Sequence, residues 1–239
     1  MTAATFTGGV RFVLHCGTLD PGSLCRGKGL AGQRVTDPER ARLIAAFNGG
    51  FKLSARDGGY EQQGIVLSPL RRGLASLVIY ASGEASVGIW GFGEPVPGQQ
   101  VYSVRQNLTP LVMHGRPTAA ASANWGYWGG TITGVERTAR SAVGQDARGR
   151  LIFVASMSAT PPDLAAALVR AGAVIGMELD INQEWVQFDY ARAPGGGLVK
   201  AIADQWRPAS QYLTGWTRDF IAVLAGWPAV PATGTRPVP

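Results

Sequence analysis

Glu178-Leu179-Asp180 stands at the end of an otherwise apolar stretch, and two carboxylates at that spacing are a natural source of chemistry. In a strand, residues i and i+2 point to the same face about 6.5–7 Å apart. Repulsion and burial would raise one pKa and leave the other group ionised as base or nucleophile. The same pair would be structural if it neutralised neighbouring arginines. Asp180, Asn182 and Glu184 also alternate oxygen ligands like a calcium loop, yet the glycine of such a loop is absent. No cofactor or metal is expected, with calcium through those three residues as the alternative. Trp185 follows, with a flat face that would stack on a sugar ring or fill the core.

Asn48-Gly49-Gly50-Phe51-Lys52 forms a second group. Two glycines let the backbone approach a ligand and turn N–H groups toward an anion, while Asn48 offers both donor and acceptor. A plain tight turn would use the same residues. Arg105-Gln106-Asn107 and Arg140-Ser141-Ala142-Val143-Gly144 each set an arginine beside a predicted strand. There its planar fork of donors suits phosphate oxygens, or a salt bridge.

These residues need a frame. With 239 residues, 46% of them hydrophobic, the chain is long enough for one large core, while 33 Gly and 15 Pro favour short strands joined by tight turns. The expected fold class is α+β: a single domain over 1–225 with mixed, mainly antiparallel sheets and a few flanking helices, then a Pro/Thr/Gly-rich tail over 226–239. Apolar runs predict strands at 10–15, 43–47, 76–80, 85–90, 141–144, 151–155, 173–179, 185–190 and 220–224, with hairpins turning at 81–84 and 146–149. The stretch 17–32 reads as a loop. Asp37 is expected to cap a short helix with Pro38 in its first turn. The best helix is 161–171, capped by Thr160 or Ser158, with Leu164, Ala167, Leu168 and Ala171 on one face and Gly172 as its stop.

Several classes drop out. The net charge of +6 comes from scattered arginines, Lys occurring only at 28, 52 and 200, so no basic run marks a nucleic-acid tract. Gly27, Gly29 and Gly32 match a dinucleotide fingerprint and Gly22 to Lys28 part of a phosphate loop, but neither has the strand before it and helix after it that the chemistry needs. There is no G-x-S-x-G elbow. Cys16 and Cys25, nine positions apart, form a disulfide or remain two buried thiols, and with only His15 and His114 beside them they make no zinc set. No apolar run approaches the roughly 20 residues of a membrane span, and residues 1–10 lack the features of a signal peptide. Asn107-Leu108-Thr109 is formally a glycosylation acceptor. The oligomeric state is not legible.

Taken in order, Ala46-Phe47-Asn48-Gly49-Gly50-Phe51, Arg105-Gln106-Asn107, Arg140-Ser141-Ala142-Val143-Gly144 and Glu178-Leu179-Asp180 resemble the phosphodiester glycosidase family, and its bacterial branch above all. The resemblance runs from His15-Cys16-Gly17-Thr18 through Arg218-Asp219-Phe220. It implies a hydrolase that cuts a sugar from a phosphate, a glycan-phosphate substrate, and a place outside the cell or in its envelope. Asn48, Arg140 and Asp180 fall on motif positions expected to line the active site. On this expectation Asp180 or Glu178 is base or nucleophile, Arg140 and Arg105 hold phosphate, and Asn48 with the Gly49 and Gly50 amides orients the sugar. Lys52, Asn107, Glu184 and Trp185 complete the substrate contacts. Many members continue the last motif as Leu-Asp-Gly-Gly-Gly-Ser, where this chain has Leu179-Asp180-Ile181-Asn182-Gln183-Glu184-Trp185. Bulky and polar side chains thus replace a glycine cradle. Two rivals follow: a carbohydrate or cell-wall binding module that lost catalysis on the same fold, and a phosphoesterase that breaks P–O.

Overall fold

The computed structural model describes residues 1–55 and 58–226. Apart from Gly226, the expected tail lies outside the described residues. Three sheets carry the fold. The first orders Thr2–Thr5, Leu151–Ala159, Thr138–Asp146, Ala173–Ile181, Val112–Met113 and Arg116–Pro117, all antiparallel. The second orders Leu198–Lys200, Phe188–Ala191, Leu43–Asn48, Phe220–Ala225 and Val10–His15, again antiparallel. In the third, Ile65–Ser68, Tyr60–Gln62, Val101–Gln106, Ala75–Tyr80, Ala85–Trp90 and Gly93–Glu94 lie side by side, and the last two strands run parallel. The chain is α+β, as its composition implies.

The alternation of side chains along each strand decides what the sheets enclose. In Ala75–Tyr80, Leu77 and Ile79 enter a central core shared with Phe12 and Phe47 of the second sheet and Val143 and Phe153 of the first, whereas Val78 and Tyr80 face a separate cluster with Trp90 and Val104. All three sheets thus bury one face against the same apolar mass, which makes them one unit. The outer face of the first sheet is covered by the helix Pro161–Arg170. Thr160 Oγ1 accepts from the Asp163 amide at 3.3 Å, and Asp163 Oδ2 accepts from the Thr160 amide at 3.1 Å, a reciprocal cap. Leu168 drops into a notch where Gly144 and Gly176 carry no side chain; a Cβ on either would come within 3.1 and 2.7 Å of it.

Both predicted hairpins, the loop after His15 and the helix stop at Gly172 (φ 97°) are present. The short helix Asp37–Arg40 is capped by Thr36 instead of Asp37, because Glu39 Oε2 reaches back to the Thr36 amide at 2.7 Å. The strand expected from 185 begins only at Phe188, since Asn182 takes a left-handed φ of 73° and the Trp185 amide folds back onto its carbonyl at 3.1 Å. Cys16 and Cys25 form a disulfide.

Candidate functional site

The ends of several strands meet in one place. Asn48 closes Leu43–Asn48, Asp180 stands near the end of Ala173–Ile181, Arg105 near the end of Val101–Gln106, and Asp219 immediately precedes Phe220–Ala225. Side-chain amides and one hydroxyl lash these ends together. Asn48 Nδ2 donates to Ser141 Oγ at 2.9 Å, and Ser141 Oγ donates to the Asp180 carbonyl at 3.1 Å. Asn48 Oδ1 accepts from the Gln187 amide at 3.2 Å. Asn107 Nδ2 donates to the Glu178 and Leu179 carbonyls at 2.9 and 2.8 Å. Asn48 and Asn107 are therefore committed to fixing strands, and Asn107 is too buried and too fully engaged to present a glycosylation site on the folded surface.

Two of the expected ligands form a sealed ion pair. Arg140 Nη1 lies 2.8 Å from Glu178 Oε1, and both side chains are 0% exposed. The guanidinium also donates to the carbonyls of Trp128 at 2.9 Å, Glu136 at 3.0 Å and Ala159 at 3.2 Å. Burial pushes the Glu178 carboxyl up to about 8, against the pull of Arg140, and the nearby Asp180 adds to the rise. With four of its five N–H donors met inside the protein and its side chain fully buried, Arg140 has no fork to offer a phosphate in this structure.

Arg105 and Asp219 make a second buried pair, Nε to Oδ2 at 2.7 Å. Arg105 further donates to the carbonyls of Phe51 and, at 2.9 Å, Gln106. The two glycines at 49 and 50 explain themselves here. A Cβ on Gly49 would lie 2.1 Å from Asp219 Oδ2, and one on Gly50 would lie 2.9 Å from the Arg105 guanidinium carbon. Their amides point at Asp219 too, Gly49 N–H to its carbonyl at 2.9 Å and Gly50 N–H to its carboxylate at 3.4 Å. The anion these glycines accommodate is a carboxylate of the protein itself.

What stays accessible is a cleft of about 230 Å³ whose wall includes Phe51, Lys52, Asp180, Asn182, Trp185 and Arg218. Asp180 Oδ1 accepts from the Ile181 amide at 2.8 Å, and Oδ2 is 2.9 Å from Arg218 Nη2, which also donates to the Gly50 carbonyl at 2.9 Å. Burial raises the Asp180 carboxyl to about 7 although Arg218 pulls it down. The Arg218 guanidinium sits 5.0 Å from the centre of the Trp185 ring, with Lys52 Nζ 5.8 Å from that centre. The arrangement offers one titratable carboxylate, two cations and a flat apolar ring at one opening. Glu184 is half-buried and not part of the wall. The Asn182 side chain is held by the Ile132 amide at 3.0 Å and the Gly130 carbonyl at 3.2 Å. Among the described residues no group of three His, Cys, Asp or Glu side chains is placed to hold a metal.

In the sequence Arg218 and Asp219 stand out only as the end of the resemblance. Their signal was there: a charged dipeptide at the mouth of the apolar run 220–225, the mirror of Glu178-Leu179-Asp180 at the close of another. Asp20, 3.8 Å from Arg218 Nε, gave no signal beyond its place in a loop.

Known proteins agree with this picture at the level of fold. The structure is similar to the catalytic domain of zebrafish N-acetylglucosamine-1-phosphodiester alpha-N-acetylglucosaminidase, auto-inhibited by its pro-peptide, with a TM-score of 0.55 and 16% identity over 90% of this chain and 73% of that one. It is also similar to a hypothetical protein from Synechocystis, with a TM-score of 0.51 and 14% identity over 93% of this chain and 58% of that one. No curated protein matches the sequence. The phosphodiester glycosidase family profile matches residues 41–180, which span the Asn48-Gly49-Gly50 segment, Arg105, Arg140, Glu178 and Asp180. By that match over more than half of its length, the chain belongs to the phosphodiester glycosidase family.

Proposed function

We propose that this domain hydrolyses the bond between a sugar's anomeric carbon and a phosphate oxygen, and does so in the cleft walled by Asp180 and Arg218. The observation that carries the reading is the pairing of a carboxylate held near neutrality with an arginine, beside an accessible lysine and a tryptophan. A phosphate leaves as a stable anion, so the reaction needs charge stabilisation more than strong acid help. Arg218 and Lys52 supply positive charge for the phosphate, Trp185 a face for the sugar, and Asp180 the base or nucleophile. When the C–O bond breaks, its electron pair stays on the phosphate and the anomeric carbon takes its new oxygen from water. Glu178, Arg140, Arg105, Asn107 and Asn48 act from behind, holding the strand ends that aim Asp180. The disulfide supports a home in an oxidising compartment, outside the cell or in its envelope.

The test is release of reducing sugar from a panel of sugar-1-phosphate diesters. Wild-type protein is expected to turn over at least one, and Asp180→Asn to lose most of that turnover while staying folded. Equal turnover by the two proteins would refute the assignment. The non-catalytic reading draws on the bulky residues 181–185 in place of a glycine cradle; it requires wild-type protein to bind a diester without cleaving it and Asp180→Asn to bind it equally well.

A further inference from the structure

We infer that Asp20 is a positioning residue of this site: presented by the loop that the Cys16–Cys25 disulfide closes, its carboxylate shares Arg218 with Asp180. The loop is docked on the segment that carries Arg218. The amides of Thr18, Leu19 and Asp20 donate to the carbonyls of Trp216, Thr217 and Thr217, each at 3.0 Å. Gly17 lies so close that a Cβ there would be 2.3 Å from the Thr217 carbonyl oxygen and 2.4 Å from the Arg218 nitrogen. The disulfide clamps Cys16, next to Gly17, to Cys25 and so closes the loop at both ends. Asp20 itself is steadied by the Leu53 amide, 3.2 and 3.3 Å from its two oxygens.

The charge inventory shows why a third carboxylate matters. Asp20, Asp180 and Asp219 face two guanidinium groups, and Arg105 is taken by Asp219 at 2.7 Å. Asp20 and Asp180 are left to divide Arg218. Its Nη2 is bonded to Asp180, while its Nε is buried, has no hydrogen-bond partner among the described residues and lies 3.8 Å from Asp20 Oδ2. Asp20 thus holds the guanidinium at Nε while Asp180 holds it at Nη2, and as a second anion beside that guanidinium it opposes ionisation of Asp180. Among the described residues the other charges near Asp180 are Asp219 and Arg105, Lys52 on the cleft wall, and Glu178 on its own strand with Arg140 on the neighbouring one. Burial raises the Asp20 carboxyl as well, with Asp219 adding to the rise and Arg105 and Arg218 opposing it.

The inference about charge stands on geometry alone; its consequence for turnover rests on the function proposed above. Asp20→Asn keeps the shape and an acceptor for the Leu53 amide while removing the charge. Titration of the Asp180 carboxyl by ¹³C NMR in the full chain is expected to show its midpoint falling by about half a pH unit or more in Asp20→Asn. The acid limb of kcat/KM on a cleaved diester moves down with it. An unchanged or raised Asp180 midpoint in folded Asp20→Asn overturns the inference. If wild-type protein cleaves no diester, the functional reading fails while the NMR titration still decides the role of Asp20. Should Asp20→Asn not fold, wild-type protein with its disulfide reduced under native conditions takes its place. There the Asp180 midpoint is expected to move in the same direction, and a midpoint that stays put overturns the inference.

Discussion

Replacing Arg140 by Met removes the cation of a pair that is wholly shut off from water and leaves the Trp128, Glu136 and Ala159 carbonyls without their donor. Breaking a buried pair from one side costs about 3–5 kcal/mol, because the remaining charge is stranded. Glu178 has an escape, since burial already lifts its carboxyl to about 8 and it can take a proton. The cost of Arg140→Met therefore depends on pH: at the full figure of about 4 kcal/mol near pH 9, and about 1–2 kcal/mol smaller near pH 6, where the lone carboxyl is neutral. Adding Glu178→Gln removes the charge altogether, so the double variant is expected to recover much of the loss at pH 9 and little at pH 6. Urea unfolding of wild type, both singles and the double at the two pH values closes the cycle. A cost below about 1 kcal/mol at both pH values, joined to a raised KM for a diester, would show that Arg140 grips phosphate and would refute the assignment of this pair to the scaffold.

Gly49→Ala forces a methyl against the Asp219 carboxylate and is expected to cost about 3 kcal/mol in urea unfolding, against less than about 0.5 kcal/mol for Gly197→Ala, which meets nothing within 4 Å. Equal effects would remove the packing explanation for the glycine pair. Glu178, Asp180 and Asp189 have folded pKa values near 8, 7 and 7, all above their ordinary values, so the folded protein binds more protons than the unfolded chain. Their stabilising contribution is complete in acid and is lost as pH rises through those values; Tm should fall between about pH 5 and about pH 9, and Asp189→Asn should flatten the fall. A Tm that climbs over that window contradicts the burial assigned to these groups. If Asp180 acts as base or nucleophile, kcat/KM drops as pH falls below about 7.

The frame was largely legible because local chemistry decides it. Alternation in 75–80 and 85–90, the turn at 81–84, and Thr160 with Asp163 ahead of Leu164 and Leu168 each encode their element within a few residues. Thr2–Thr5, with its two alanines between threonines, carries no such pattern and becomes a strand only by pairing with Leu151–Ala159. Spacing marks the motif residues but not their orientations. Arg140 and Glu178 look like ligands in sequence and turn out to bond each other, because the bulge between Arg140 and Ala142 and the facing strand decide which partner each one meets. Arg218, 38 positions after Asp180, reaches it only through the fold.

The central claim is that the cleft at Asp180 cuts carbon from oxygen and leaves the phosphate whole. Hydrolysis of a cleaved sugar-1-phosphate diester in ¹⁸O-labelled water tests it directly, with mass spectrometry of both products. The label is expected on the released sugar, with none in the phosphate. Label in the phosphate would mean attack at phosphorus and would contradict the account.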